Sequence, residues 1–254
     1  MSVDLKRSLK KYTPFFIQAQ KDNLNEADTV QRLIKVFEEV FGYDLMTDIS
    51  REAHMKNKFV DIALKVDGVV RLLVEVKAAG ETLRDRHIEQ AQNYASNNNY
   101  KWVLLTNSVV WNLYHLTFEE GIESELVFSV DLLEDNAFNA NADKLGIIHK
   151  QAIKKGELED YWERSTALGP KQLAKALFNE STLGLIRREI RKQSGVLIDI
   201  EDLADSIYSM LTQDNKVQIG PLKVRKRKVR KQEGPEGTKP VEEASGSKES
   251  PSEA

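Results

Sequence analysis

The stretch that decides the fold is Phe59-Val60-Asp61-Ile62-Ala63-Leu64-Lys65-Val66, Asp67-Gly68, then Val69-Val70-Arg71-Leu72-Leu73-Val74-Glu75-Val76-Lys77. Two apolar runs flank an Asp-Gly dipeptide, which predicts a β-hairpin. Both runs carry charge where a buried strand has none: Asp61 in the first, Glu75 and Lys77 in the second. A buried charge is costly unless it is paired or bound to a metal ion. Glu75 and Lys77 stand two residues apart and leave the same strand face. Two carboxylates and a lysine on one sheet read first as the parts of a divalent-metal centre for phosphodiester hydrolysis, with carboxylates to hold the ion and a cation beside the attacking water. Their second reading is as solvent-facing residues on a half-exposed hairpin.

Whether Asp61 joins the other two depends on register. A strict two-residue loop pairs Val66 with Val69, sets Asp61 opposite Val74 and turns it away from Glu75. A three-residue connection, or a bulge at Gly68, brings Asp61 across from Glu75. A metal centre requires the even register.

Working outward, a helix is expected over about 23–41, with Leu24, Val30, Leu33, Ile34, Phe37 and Val40 as its apolar stripe. Residues 1–10 are polar and read as loosely ordered, and a short strand is expected near 49–53. A second helix covers about 82–97, with Leu83, Ile88, Ala91, Tyr94 and Ala95 inward. Trp102–Thr106 is a near-continuous apolar strand, followed by strands at 110–115 and 126–130. This order predicts an α/β domain over residues 1–135, with a mixed sheet between helices. From about 141 the pattern is helical, giving a small all-α domain over 141–220. Its apolar stripes, including Leu173, Leu177, Leu183, Ile186 and Ile190, read first as packing. A homodimer or partner-subunit surface is their second reading. Residues 221–254 are rich in Gly, Pro, Ser, Glu and Lys and read as a disordered tail.

Composition bounds the rest. The chain of 254 residues has no cysteine, which excludes disulfides and thiolate metal sites. No apolar run reaches membrane-spanning length and no cleavable leader opens the sequence, so a cytoplasmic protein without membrane contact is expected. Net charge is −3, unevenly spread: residues 221–254 hold nine Lys/Arg and six Asp/Glu, leaving 28 and 34 for residues 1–220. The folded part is therefore acidic, while Lys223, Arg225, Lys226, Arg227, Lys228, Arg230 and Lys231 form a basic run suited to phosphate contact or to a partner. His54, His87, His115 and His149 show no zinc-ligand spacing, although His87 lies one turn before Gln90 and Ala91. Trp102, Trp111 and Tyr114 could stack on bases, but aromatics in apolar strands read first as core.

Asp61 followed by Glu75-Val76-Lys77 resembles the PD-(D/E)XK nuclease signature, with Val60 in place of the proline that names it. Leu73–Lys77, the helix with Gln90 and Tyr94, and Leu104-Leu105-Thr106-Asn107 before Trp111-Asn112-Leu113-Tyr114 resemble the N-terminal nuclease domain of type I restriction enzyme R subunits. The resemblance covers about residues 15–131. It implies a restriction-endonuclease-like fold and Mg²⁺-dependent DNA cleavage, with Mn²⁺ as a substitute ion. Asp61, Glu75 and the Val76 carbonyl would hold the metal, with Lys77 orienting or activating the water and stabilising the developing phosphorane charge. Glu26 matches the acidic helix residue of such centres, ahead of Glu39 and Glu52. Gln90 and Tyr94 fit a QxxxY pattern and share a helix face. Two departures stand out. The expected Thr-Asn-Gly turn reads Thr106-Asn107-Ser108, and no Gly-x-x-x-x-Gly-Lys-Ser/Thr loop occurs in these residues, so no helicase motor is expected with the domain. It is expected to act alone or with separate partners. The alternative is a nuclease-like fold kept as a non-catalytic DNA-binding or assembly module.

Overall fold

The computed structural model describes residues 2–51, 60–119, 121–134 and 136–222. The basic run from Lys223 onward and Glu52, both singled out in the sequence, lie outside the described residues. The chain divides into two compact units, Met1–Leu173 and Ala174–Ala254.

The first unit is built on a six-stranded sheet in sequence order: β1 (Ile49–Arg51), β2 (Ile62–Val66), β3 (Val69–Val76), β4 (Trp102–Thr106), β5 (Val110–Thr117) and β6 (Glu123–Asp131). Every neighbouring pair is antiparallel except β3 and β4. A parallel pair needs a crossover. Here it is a 3₁₀ turn at Asp85–Ile88 running into helix α3 (Glu89–Asn98), where a single helix over 82–97 was expected. Asn99, in the left-handed conformation (φ 56°), ends α3.

Even-numbered β3 residues (Leu72, Val74, Val76) enter the larger core, with Leu33, Phe37 and Phe41. Leu73 enters the smaller core on the opposite face, beside Ile88, Ala91 and Tyr94. Glu75 and Lys77 share the Leu73 face by strand alternation. Trp102, Trp111 and Tyr114 are all buried, as strand aromatics usually are.

Two expectations are corrected. Residues 2–21 form a helix, α1 (Ser2–Lys21), in place of a loosely ordered start over the first ten residues. Leu5, Leu9 and Phe16 recur at near-helical spacing and are buried, so packing outweighs the polar local composition. The sheet unit also continues past residue 135, through Leu173. Leu145 of α4 (Phe138–Leu145), Ile153 of α5 (Lys150–Lys154) and Leu158 of α6 (Glu157–Ala167) are buried in the larger sheet core. The second unit, as far as described, holds α8 (Glu180–Ser194), α9 (Ile200–Ser209) and α10 (Gln213–Ile219), around Leu183, Leu203 and Ala204. Helix α7 (Pro170–Leu177) spans the division. Among the described residues no helix is long and apolar enough to cross a membrane.

Ser108 occupies the position where a glycine was expected, at φ 74°, in the left-handed region. It is buried and its hydroxyl oxygen has no hydrogen-bond partner. Ser108→Gly relieves both costs and is expected to stabilise the protein by about 1 kcal/mol. The measurement is thermal unfolding, with a Tm rise of roughly 2–4 °C. An unchanged or lower Tm would mean that the serine is not strained.

Candidate metal and active site

The hairpin reaches the even register by a route the sequence did not indicate. Its loop is the strict two-residue Asp67-Gly68, both residues at positive φ (50° and 78°), and Val66 pairs with Val69. That start alone would turn Asp61 away from Glu75. The ladder then shifts: Lys65 pairs with Val70, but Leu64 pairs with Leu72, leaving Arg71 as an extra residue on β3. Beyond this bulge Ile62 pairs with Val74, so continuing the same register sets Asp61 across from Glu75.

The result is a compact charged group on the α3 face of the sheet. Asp61 Oδ2 accepts a hydrogen bond from the Val76 backbone N–H at 2.7 Å. Lys77 Nζ donates to Glu75 Oε1 at 2.8 Å and to Glu26 Oε2 at 3.3 Å. Glu75 is 3 % exposed, and its second oxygen, Oε2, is buried without a partner. Burial first, then the neighbouring Asp61 charge, push the Glu75 carboxyl up to about 7 against the pull of Lys77. Burial pulls Lys77 down, but the Glu75 and Glu26 carboxylates outweigh it and hold the ammonium above its ordinary value. Lys77 therefore stays charged at neutral pH. It can donate hydrogen bonds and counter negative charge, and it is not a proton acceptor.

Glu26 reaches this group from helix α2 (Glu26–Glu39), whose start is fixed by the Asn25 side chain accepting from Asp28 N–H at 2.9 Å. The loop after β3 is tied to the residue before that cap, with Ala79 N–H donating to the Leu24 carbonyl at 3.0 Å. Gly80 leaves the room this approach needs, because a Cβ there would stand 2.4 Å from Asn23 Oδ1. Glu39, at the other end of α2, is engaged by Tyr12 and by Lys35 at 2.8 Å. Thirteen residues of helix place it about 20 Å along the axis from Glu26.

Among the described residues, no three His, Asp or Glu side chains gather closely enough to hold an ion. Glu26 accordingly completes the group through Lys77 and does not stand as a third carboxylate with Asp61 and Glu75. The remaining donor set is two carboxylates and the Val76 backbone. It fits a magnesium-type ion, which is commonly bound by one or two carboxylates with water completing the shell. The orphaned Glu75 Oε2 and the mutual repulsion that raises Glu75 are what such a cation would relieve.

Gln90 is exposed in the first turn of α3. Tyr94, one turn on, is buried in the smaller core and stacks against Tyr100 with ring centroids 6.2 Å apart. Its ring packs on the sheet face that carries the charged trio.

The C-terminal ends of the parallel strands β3 and β4 border the site. Asn107 organises them: its side-chain Nδ2 donates to the Glu81 carbonyl at 2.8 Å, and its Oδ1 accepts from Val109 and Val110 N–H. One polar neighbour was missed in the sequence. Leu105 pairs with both Glu75 and Asn112, which places Asn112 two strands from Glu75 on the same face, with its Oδ1 buried and unpartnered. A lone Asn between Trp111 and Leu113 in an apolar strand was the available signal.

Residues 25–126, which carry Glu26, Asp61, Glu75, Lys77, Gln90 and Tyr94, match the family model described as the type I restriction enzyme R protein N terminus (HSDR_N). The match falls within the segment whose motifs resemble that domain and covers less than half of the chain. No curated protein and no solved structure matches the chain.

Proposed function

We propose that this R-protein N-terminal-type domain is a Mg²⁺-dependent DNA nuclease. The observation that carries the proposal is the bulge-set register, which brings Asp61 and Glu75 to one face and leaves Lys77 charged between Glu75 and Glu26. Asp61, Glu75 and the Val76 carbonyl would hold the ion. When bound, the metal supplies Lewis-acid polarisation of a phosphate oxygen. Lys77 holds the attacking water by hydrogen bonding and offsets the negative charge that grows as the water oxygen adds to phosphorus and the ester P–O bond breaks. The water's proton passes to solvent, and the leaving oxygen takes one from solvent. Glu26 acts through Lys77, holding the ammonium by a second ion pair. Gln90 is exposed toward a substrate, while Tyr94 positions α3 on the sheet. The family description supports DNA as the substrate and restriction as the setting by analogy.

The test is incubation of supercoiled, linear and single-stranded DNA with the full chain and Mg²⁺ or Mn²⁺, against a chelator. Cleavage that requires the ion supports the proposal. DNA bound without any cutting would favour the binding or assembly module.

An acidic fold needs a cationic anchor to hold DNA, and residues 223–231 supply seven cations in nine positions. Each phosphate neutralised by the protein contributes about 0.9 to the log–log slope of binding against salt. Removing residues 221–254 is therefore expected to weaken DNA binding and to lower that slope by about 3, if half of the run meets phosphates. The check is a binding titration at several salt concentrations. An unchanged slope would assign the run to another partner.

A further inference from the structure

A second polar site lies at the edge of the sheet. In the β5–β6 ladder Leu113 pairs with Phe128 but Tyr114 pairs with Leu126, so Val127 is an extra residue on the edge strand. The bulge reverses the alternation of β6. Beyond it Glu125 lies opposite His115 and Glu123 opposite Thr117, on the face that also carries Trp111 and Leu113.

Trp162 of α6 covers this corner. It stacks on His115 with centroids 4.3 Å and planes 21° apart, and Trp102 meets His115 edge-on at 4.8 Å. His115, Thr117, Glu123, Ser124, Glu125 and Trp162 line a cleft of about 430 Å³, within the range of small-ligand sites. His115 is 8 % exposed, and its Nδ1 has no hydrogen-bond partner. Burial, then the charge of Lys101, hold the imidazole below its ordinary value, so it is neutral at pH 7 and does not repel a cation. Glu123 and Glu125 are exposed, and among the described residues neither takes part in an ion pair.

Two unpaired carboxylates beside an indole and an unpartnered buried imidazole select against anions and favour cationic, hydrogen-bond-donating groups. We propose that this cleft binds an organic cation of the guanidinium or alkylammonium class, its charge between Glu123 and Glu125 and its apolar body against Trp162. Such a group comes from a basic polypeptide side chain or from a free small amine. The site is independent of the proposed nuclease centre and does not rest on it.

The experiment follows the tryptophan indole N–H signals of the full chain by ¹⁵N-correlated NMR, with the Trp162 signal assigned through Trp162→Phe. Titrants are agmatine, an arginine-containing dipeptide amide and, as an uncharged base, deoxycytidine. The expected result is a saturable shift of the Trp162 signal with the cations and none with deoxycytidine. Glu123→Gln/Glu125→Gln, at exposed positions outside the core, should weaken cation binding about tenfold or more. A peptide that binds tighter than agmatine assigns the natural ligand to a polypeptide, and equal binding assigns it to a small amine. No saturable shift, an equal shift in the double variant, or a response to deoxycytidine alone would overturn the proposal.

Discussion

Lys77→Met is expected to slow metal-dependent DNA cleavage roughly 10²- to 10³-fold, the usual cost of removing one preorganised donor from a developing charge. Methionine keeps most of the apolar stem, so the packing loss is small and the change is chiefly one of charge. The ammonium sits 2.8 Å from Glu75 Oε1 and 3.3 Å from Glu26 Oε2, and its side chain is only 16 % exposed. Solvent cannot replace it fully. Its removal also withdraws the interaction that offsets the burial of Glu75 and the repulsion from Asp61. The Glu75 carboxyl should then hold its proton more tightly, and metal affinity near pH 7 should fall as well. The two effects separate in single-turnover cleavage of supercoiled DNA at saturating Mg²⁺ and pH 8.5, where the affinity loss is masked and the rate loss stays. A variant that cuts like wild type under those conditions would remove Lys77 from the chemistry.

The second large effect is on stability, and its sign opposes the effect on activity. Glu75→Gln is expected to abolish cleavage while stabilising the metal-free protein above neutral pH. The folded carboxyl titrates at about 7 against an ordinary value of 4.5. Between those two pH values the folded protein keeps a proton that the unfolded chain has released, so stability falls as pH rises. Above about pH 7 the penalty is complete, on the order of 3 kcal/mol from the shift alone. Glutamine carries no such penalty, although it loses the ion pair with Lys77, so the net gain at pH 8 should be about 1–2 kcal/mol. The check is chelator-treated protein, wild type beside Glu75→Gln, melted from pH 4.5 to 8.5. The wild-type Tm should decline across the interval and the variant should lack that component. Adding Mg²⁺ should raise the wild-type Tm more at pH 8 than at pH 5.5, because binding requires the ionised carboxylate. Parallel pH profiles for the two proteins would mean that Glu75 is not the strained group.

Much of this centre is legible in the chain. Near-continuous apolar runs around Asp67-Gly68 define the hairpin, and the placement of Asp61, Glu75 and Lys77 inside those runs marks the charged trio. Helix α2 follows from its stripe, although the structure starts it at Glu26, after the Asn25 cap, and not near residue 23. The crossover from Glu75-Val76-Lys77 to the apolar run at Trp102 is equally readable, because a helical segment between two buried strands implies a parallel pair.

What the sequence left open is non-local. The same hairpin residues are compatible with two registers that put Asp61 on opposite faces, and only the extra residue at Arg71 selects one. Nothing in Val69-Val70-Arg71 announces a bulge locally. The choice rests on pairing β2 with β1 and β3 with β4 while both sheet faces are buried. The reach of Glu26 to Lys77 depends likewise on the hydrogen bond between the Leu24 and Ala79 backbones, and the raised Glu75 carboxyl on burial and on Asp61 beside it. The order of residues along the two apolar runs singled out Asp61, Glu75 and Lys77. Packing of separated segments decided which face they share and what charge each one carries, because register and burial are properties of neighbours in space and not of neighbours along the chain.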